Sequence, residues 1–394
     1  MAQFEMADVV KSLPINYFSE IDDRINAKIK VGDDVIDLAS GSPDLATDPA
    51  IQAAMQAAII DPSNHSYPPF MGKDNVKDAV AQFYKRVYDV EIDPATEVMI
   101  VSSSGVSVVA VPQTLLNPGD TILLTNPAYP PYFAAAKLAQ ATIYEMPVTA
   151  ETDFLPDFDA IPEEVAVAAK VMMLNYPNNP TGAVATPVFF EKAIRFAAKY
   201  QIAIVHDFAY AAIGYNGVTP LSLMQMKDGK AQGVELYTAS KTFSMADYRF
   251  GFVVGNASII AALKNYHSNA YTMVPGFIQD GMTQALTGSL EQVEANRLVY
   301  ETRLNTLVKG LQAIGWSVEA SKGSLFAWFK VPDGFTGASF ANYLLDEAQI
   351  AVAPGEGFGS MGANYVRVSV LQPTERLVEA VARIAALGLF GEAR

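Results

Sequence analysis

The sequence predicts an α/β fold: a three-layer sandwich with a mostly parallel seven-stranded sheet, one strand antiparallel, joined to a smaller α+β domain. Three observations predict it. Between residues 98 and 256, short apolar runs alternate with longer stretches. The runs are almost continuously apolar, as in strands covered on both faces by helices. Several gaps can hold the crossover helix that a parallel connection needs, and the last gap cannot.

The runs, in order, are VMIVSS (98–103), TILLTN (121–126), ATIYEMP (141–147), KVMMLNYP (170–177), IAIVHDF (202–208), VELYTAS (234–240) and GFVVGN (251–256). TPVFFEKAIRFAAKYQ reads as a crossover helix, with Thr186 as N-cap and Pro187 in the first helical position. The gap from Lys241 to Gly251 is shorter than the dozen or so residues of a parallel crossover, so GFVVGN is expected to run antiparallel. Ahead of the sheet, GKDNVKDAVAQFYKRVY (72–88) places Val76, Ala79, Val80, Phe83 and Val87 on one helical face. After about residue 286 come a long helical stretch rich in Glu, Arg and Leu, then FAWFKVP, then a final helix beyond Pro373. The expected division is a large domain over 43–286 and a small domain from 1–42 and 287–394.

Composition narrows the function. With 394 residues, 51% hydrophobic and 18% charged, the chain can bury a large core. A net charge of -15 would be repelled by a phosphate backbone, which argues against a nucleic-acid partner. The absence of cysteine excludes disulfides, thiolate metal sites and a cysteine nucleophile. His65, His206 and His267 are too scattered for a metal cluster, so no metal is expected. No apolar run reaches the ~18–20 residues of a membrane span. The opening MAQFEMADVVKSLP carries acids early and lacks a long apolar core, so neither a signal peptide nor an anchor is expected there. A cytoplasmic enzyme with no membrane partner is the expectation.

Polar residues gather at the ends of the predicted strands: Ser103 to Gly105, Asn179, Asp207 with Tyr210, and Lys241. Ligands of open α/β sheets bind outside the carboxyl ends of strands. Loops begin there too, so each residue alone has a bland explanation. Lys241 read alone is a solvated loop cation; read as a nucleophile, it is a Schiff-base lysine, and the nearby Arg249 either supplies the positive field that depresses its pKa or binds a phosphate. Asp207, following the apolar IAIV, needs a partner, which is either a cap or salt bridge or the protonated ring nitrogen of a cofactor. SSSGVS (102–107) and NYPNNPTG (175–182) are ordinary as turns, although small residues after a strand let backbone N–H groups reach an anion.

Together the ordered motifs NPAYP, NYPNNPTG, HDFAY, SKTFSMADYRFGFVVGN and NYVRVS, over residues 126–369, resemble the class I/II aminotransferases. These are fold-type I enzymes of the aspartate aminotransferase superfamily that use pyridoxal 5′-phosphate. Fainter similarities, LASGSPD (38–44) and YPPFMG (67–72), extend the likeness to nearly the whole chain. The resemblance implies that Lys241 carries the cofactor aldehyde, that Asp207 holds the pyridine nitrogen protonated, and that Asn179 and Tyr210 donate to the phenolic oxygen. It implies that Tyr129 stacks on the ring, and that Ser104, Gly105, Thr238 and Arg249 cradle the phosphate. Tyr67 would reach the phosphate across a homodimer interface. Arg367 would clamp the substrate α-carboxylate, with Gly41 a backbone contact to it. Lys241, Asp207 and Tyr210 are the expected catalytic residues, and an L-amino acid and a 2-oxo acid the expected substrates.

Several positions depart from the family pattern. MADYR brings Asp247 and Tyr248 beside the lysine, where the family usually has glycine and tryptophan. Thr238 replaces a commoner serine. SSSGV lacks the lysine or threonine of many relatives. No second arginine for a dicarboxylic substrate is evident. The segment NYHSNAYTM (265–273) and the aromatics Phe70 and Tyr132 are expected at the pocket rim, favouring a neutral, apolar or aromatic amino acid. Two alternatives stay open at this point: a lyase of the same fold cleaving C–S or C–C bonds, and a non-catalytic effector-sensing module.

Overall fold

The computed structural model describes residues 4–13, 17–270 and 272–391. Met1, Ala2, Gln3 and Pro14 of the opening segment and Tyr271 of the 265–273 segment lie outside the described residues.

All seven apolar runs are strands: β1 (Val98–Val101), β2 (Thr121–Asn126), β3 (Thr142–Pro147), β4 (Ala169–Asn175), β5 (Ala203–Asp207), β6 (Gly233–Thr238) and β7 (Gly251–Gly255). They form one sheet in the order β1-β7-β6-β5-β4-β2-β3. β7 runs antiparallel to both its neighbours, β1 and β6. Every other pair is parallel. The short gap before β7 explains its direction. After Thr238 the chain makes a single helical turn, Ala239–Thr242, and returns alongside β6 with Gly251 opposite Thr238.

Both sheet faces are buried, which is why the runs are continuous rather than alternating. Leu123 of β2 packs into one layer while Ile122 and Leu124 pack into the other. Met172 and Leu174 of β4 oppose Val171 and Met173 in the same way. Each such side chain contributes roughly 1.5–3 kcal/mol by leaving water.

The helix Pro187–Tyr200 begins as expected, with Thr186 Oγ1 accepting from the Phe189 amide at 3.1 Å. The helix Asp74–Tyr88 buries Val76, Ala79, Val80 and Phe83, but Val87 is 39% exposed. Tyr84 and Tyr88 take the inner face of its last turns. The Tyr84 hydroxyl donates to the buried Glu235 carboxylate at 2.6 Å, which turns this end of the helix toward its tyrosines.

A smaller antiparallel sheet has the order β9-β10-β8, formed by β8 (Phe326–Lys330), β9 (Ala353–Pro354) and β10 (Tyr365–Ser369). A parallel pair, Ile36–Asp37 with Ile350–Ala351, ties the early chain to it. The long helix Glu291–Ala313 and the last helix Thr374–Ala386 cover this sheet through Leu304, Leu307, Leu377 and Ile384. The same apolar cluster takes in Ala209, Tyr210 and Ile213, just beyond β5. The small sheet is thereby packed onto the carboxyl edge of the large one, which brings β10 toward the ends of β4, β5 and β6.

Close approach at that edge depends on Gly251. A Cβ there would lie 2.6 Å from the Tyr237 carbonyl oxygen and 2.9 Å from backbone atoms of Ser103 and Ser104. Backbone cannot swing aside as a flexible side chain can. Gly251→Ala is expected to destabilise the protein by about 1–3 kcal/mol in urea unfolding, and an unchanged midpoint would mean that these segments part without cost.

Candidate active site

β4, β5 and β6 lie side by side and end in Asn175, Asp207 and Thr238. Beyond them opens a cavity of about 410 Å³. Its wall includes Gly41, Ser104, Gly105, Tyr129, Asn179, Asp207, Tyr210, Thr238, Lys241, Arg249 and Arg367. These come from seven separated stretches of chain, so the strand-end cluster expected from the sequence is one place in space. Of the residues expected to hold the cofactor or the substrate carboxylate, Tyr67 alone is outside this wall; it is 82% exposed.

Asp207 forms the floor. Burial pushes its carboxyl up to about 6, although the Tyr132 hydroxyl, the His206 ring and the Ala209 amide pull it partly back. Tyr132 donates to Oδ2 at 2.8 Å. Oδ1 is buried and makes no hydrogen bond. A carboxylate oxygen left in this state is costly unless something else supplies a donor.

Asn175 organises the next layer. Its Nδ2 donates to the Asp207 carbonyl at 2.8 Å and its Oδ1 accepts from the Asn179 amide at 2.8 Å. Asn178 closes the turn by accepting from the Thr181 amide and hydroxyl. Asn179 is thus held with its Oδ1 accepting from Arg367 Nη1 at 3.0 Å, next to Tyr210.

Arg367 rises from β10, where it is buried. Its Nη2 donates to the Ala39 carbonyl at 2.7 Å, and its guanidinium lies 3.9 Å from the Phe326 ring centroid and 4.9 Å from that of Phe358. Burial lowers it to about 10, so it remains a cation at neutral pH. Lys241 sits across the cavity and donates from Nζ to the Gly41 carbonyl at 2.5 Å. Burial first, then Arg367 and Arg249, lower its amine to about 8. A substantial neutral fraction therefore exists near physiological pH, as a nucleophilic amine needs.

Ser104 starts the helix Ser104–Leu115, and Ser104 and Gly105 of its first turn line the cavity. Thr238 Oγ1 contacts Ser240 Oγ at 2.9 Å and caps the Ala239–Thr242 turn. Arg249 adopts a left-handed backbone (φ 52°) and donates to the Ala246 carbonyl at 2.7 Å. A helix start, hydroxyls and a guanidinium at one edge suit a phosphate dianion.

Some expectations need correction. Tyr132 lines the cavity as expected, but at its floor rather than its rim: it is buried beside Asp207, whose carboxylate takes its hydroxyl. Phe70 and the described residues of 265–273 do not line the cavity. Tyr266 bonds Gln113 and His267 bonds Thr272, so that segment packs against the helix Ser104–Leu115 instead. Asp247 is exposed and outside the wall, so its charge does not enter the cavity, whereas its neighbour Ala246 does line it.

The family model for aminotransferase class I and II matches residues 33–384. The chain belongs to this family. It is 45% identical over 388 residues, 98% of each chain, to the L-glutamine--4-(methylsulfanyl)-2-oxobutanoate aminotransferase of Bacillus subtilis. It is also 41% identical to the LL-diaminopimelate aminotransferase of Aquifex aeolicus, over 98% of this chain and 100% of that one. The substrate-bound structure of the Bacillus BacF protein superposes with a TM-score of 0.95 at 40% identity, covering 100% of both chains. The protein is therefore a pyridoxal-phosphate-dependent aminotransferase.

The residues present fit that cofactor. The bare Oδ1 of Asp207 is matched by a protonated ring nitrogen, Lys241 by an aldehyde, and the helix start with Arg249 by a phosphate. Asn175 and Gly251 support the site without having been assigned to it from the sequence, and Tyr132 was expected only at the rim. Asn175 opens the NYPNNPTG motif and pairs in register with Asp207, which was the available signal.

The raised carboxyl of Asp207 has a thermodynamic sign. A folded-state value of about 6 against an ordinary 3.8 means that folding favours its protonated form. The group's favourable contribution is present at low pH and is lost as pH rises from about 4 to 6, leaving a cost on the order of 2–3 kcal/mol at neutrality. Asp207→Asn should raise the melting temperature of the cofactor-free protein at pH 7.5, change it little at pH 4, and weaken cofactor binding. A lower melting temperature at pH 7.5 would contradict this.

Proposed function

We propose that this aminotransferase uses Lys241 to bind the cofactor aldehyde and to move the substrate proton, Asp207 to keep the ring nitrogen charged, and Arg367 to hold the α-carboxylate. One observation carries the reading: a lysine lowered to about 8, a buried aspartate with one bare oxygen and a buried arginine line a single cavity. Bound pyridoxal phosphate supplies the electron sink for the pair left at Cα when its proton departs. Everything else falls to the chain. Arg367 offers a planar fork to the two carboxylate oxygens, and its stacking on Phe326 fixes the fork's plane. With that end held, the Cα–H bond is aimed at Lys241 Nζ, which takes the proton as a neutral amine and delivers it on the same face as an ammonium. Tyr210 and Asn179 would donate to the cofactor's phenolic oxygen, Tyr129 would cover the ring, and Ser104, Gly105, Thr238 and Arg249 would hold the phosphate. The Gly41 amide, not the carbonyl that accepts from Lys241, would give the substrate carboxylate a backbone contact.

The exposed Tyr67 supports a homodimer in which it reaches the partner's phosphate. The two sheets support a large domain over 43–286 and a small one from 1–42 and 287–394, meeting at the cavity. No helix among the described residues is long and apolar enough to cross a membrane, which accords with a cytoplasmic enzyme.

For the substrate side chain, the described wall offers the cations Lys241, Arg249 and Arg367, and each already has a task. None is left for a second carboxylate, and Asp22 on the wall would repel one. Burial, then Asp37 and Asp23, push the Asp22 carboxyl upward. We therefore favour a neutral side chain, in keeping with the glutamine and methylsulfanyl groups in the name of the Bacillus relative. A diaminopimelate-type substrate is the second reading, because Asp22 could pair with a distal ammonium. A panel of amino donors with one 2-oxo acid tests both. Glutamine or methionine should exceed aspartate in kcat/KM by at least about tenfold, and in a single turnover without acceptor the amino group should stay on the cofactor. Aspartate as best donor would overturn the substrate reading, and ammonia release in that turnover would point to a lyase.

A further inference from the structure

Beneath Asp207, on the opposite face of β5, lies a polar network that the transamination steps do not use. His206 and Glu235 are 0% exposed and face each other across the β5–β6 pair. His206 Nδ1 is 2.8 Å from Glu235 Oε2, and Nε2 is 3.0 Å from the Tyr176 backbone carbonyl. Glu235 also accepts from the Tyr84 hydroxyl at 2.6 Å, the Ser222 hydroxyl at 2.7 Å and the Leu223 amide at 2.8 Å.

The donor and acceptor inventory decides the charges. The Leu223 amide can only donate. Ser222 Oγ already accepts from the Met224 amide, which leaves its own hydrogen for Glu235. Every group facing Glu235 thus presents a hydrogen, which favours the carboxylate over the acid. The Tyr176 carbonyl can only accept, so Nε2 carries a hydrogen. Nδ1 faces a carboxylate oxygen, so it carries one too. A ring with hydrogens on both nitrogens is an imidazolium. The rings of Phe190 and Phe208, with centroids 5.1 and 5.0 Å away, shield it from water. The other titratable groups on this network are the phenols of Tyr84, Tyr88 and Tyr237, all held neutral by burial.

We propose that His206 is a standing imidazolium, anchored by Glu235, and that its charge is a positioning element that keeps Asp207 anionic beneath the cofactor ring. The two residues are adjacent in β5, so the cation lies one residue from the carboxylate, with Glu235 a strand further away. The His206 charge favours the ionised form of Asp207, opposing the burial that disfavours it. The part concerning Asp207 rests on the role proposed for it above; the part concerning the His206–Glu235 pair does not.

The test has two arms. The first is ¹⁵N NMR of the holoenzyme labelled at histidine, from pH 6 to 9. The chain has only three histidines, and His65→Gln and His267→Gln assign His206 by elimination. Both ring nitrogens of His206 should keep the nearly equal shifts of an imidazolium throughout. The widely split pair of a neutral ring would overturn the proposal. The second arm is Glu235→Gln, which should split the two shifts and raise the dissociation constant for pyridoxal phosphate roughly fivefold at pH 6, where a one-unit rise from about 6 cuts the ionised fraction of Asp207 from about one half to about one tenth. Should that variant not fold, the neutral pair His206→Asn/Glu235→Gln takes its place with the same affinity expectation. In an Asp207→Asn background the added loss should vanish. An equal loss in that background, or none in either, would overturn the link to Asp207. If Asp207→Asn alone left affinity unchanged, the role of Asp207 would have failed instead, while the NMR arm would still decide the charge on His206.

Discussion

Asp207 ends a strand that opens with the apolar Ala203, Ile204 and Val205, and the fold must meet the desolvation of its carboxyl before anything else in the site can work. Tyr132 satisfies one oxygen. The other accepts no hydrogen bond among the described residues. Burying a carboxyl in this way is expensive, and the protein does so at the point where a cationic ring nitrogen would be bound. The surrounding elements follow from that constraint. Asn175 grips the Asp207 carbonyl from the next strand, and the close passage of β7 at Gly251 presses Ser103 and Ser104 against the same edge.

The cations are arranged around the same cavity. Lys241 is lowered to about 8 and Arg367 to about 10, chiefly by burial, and Arg367 and Arg249 press further on the lysine. Burial, with the added repulsion of the two guanidiniums, leaves that one amine able to give up its proton near neutrality. The guanidiniums cannot do so, and in the proposed function they would anchor anions: Arg367 with its aromatic seat, and Arg249 near a helix start.

Much of this was legible in the sequence. The strands were visible because a parallel sheet covered on both faces leaves unbroken apolar runs, and the reversed strand because Lys241 and Gly251 are too close for a crossover. Lys241, Asp207 and Arg367 were visible through motifs of fixed order and spacing. What was hidden depended on partners distant in sequence. Tyr132 looked like a rim aromatic because nothing in its neighbourhood announces Asp207, 75 residues away. Val87 fitted a helical stripe, but Tyr84 had a stronger reason to face inward, a carboxylate 151 residues further on. Asp247 looked intrusive beside the lysine, yet the turn that carries it points its side chain to solvent while Ala246 meets the cavity.

Borohydride reduction of the holoenzyme, followed by peptide mapping, tests the central claim most directly, because it makes the bond between cofactor and lysine permanent. The account predicts one pyridoxyl group per chain, attached to Lys241 within the ASKTF segment. A group attached to any other lysine, or a reduced protein carrying none, would contradict it.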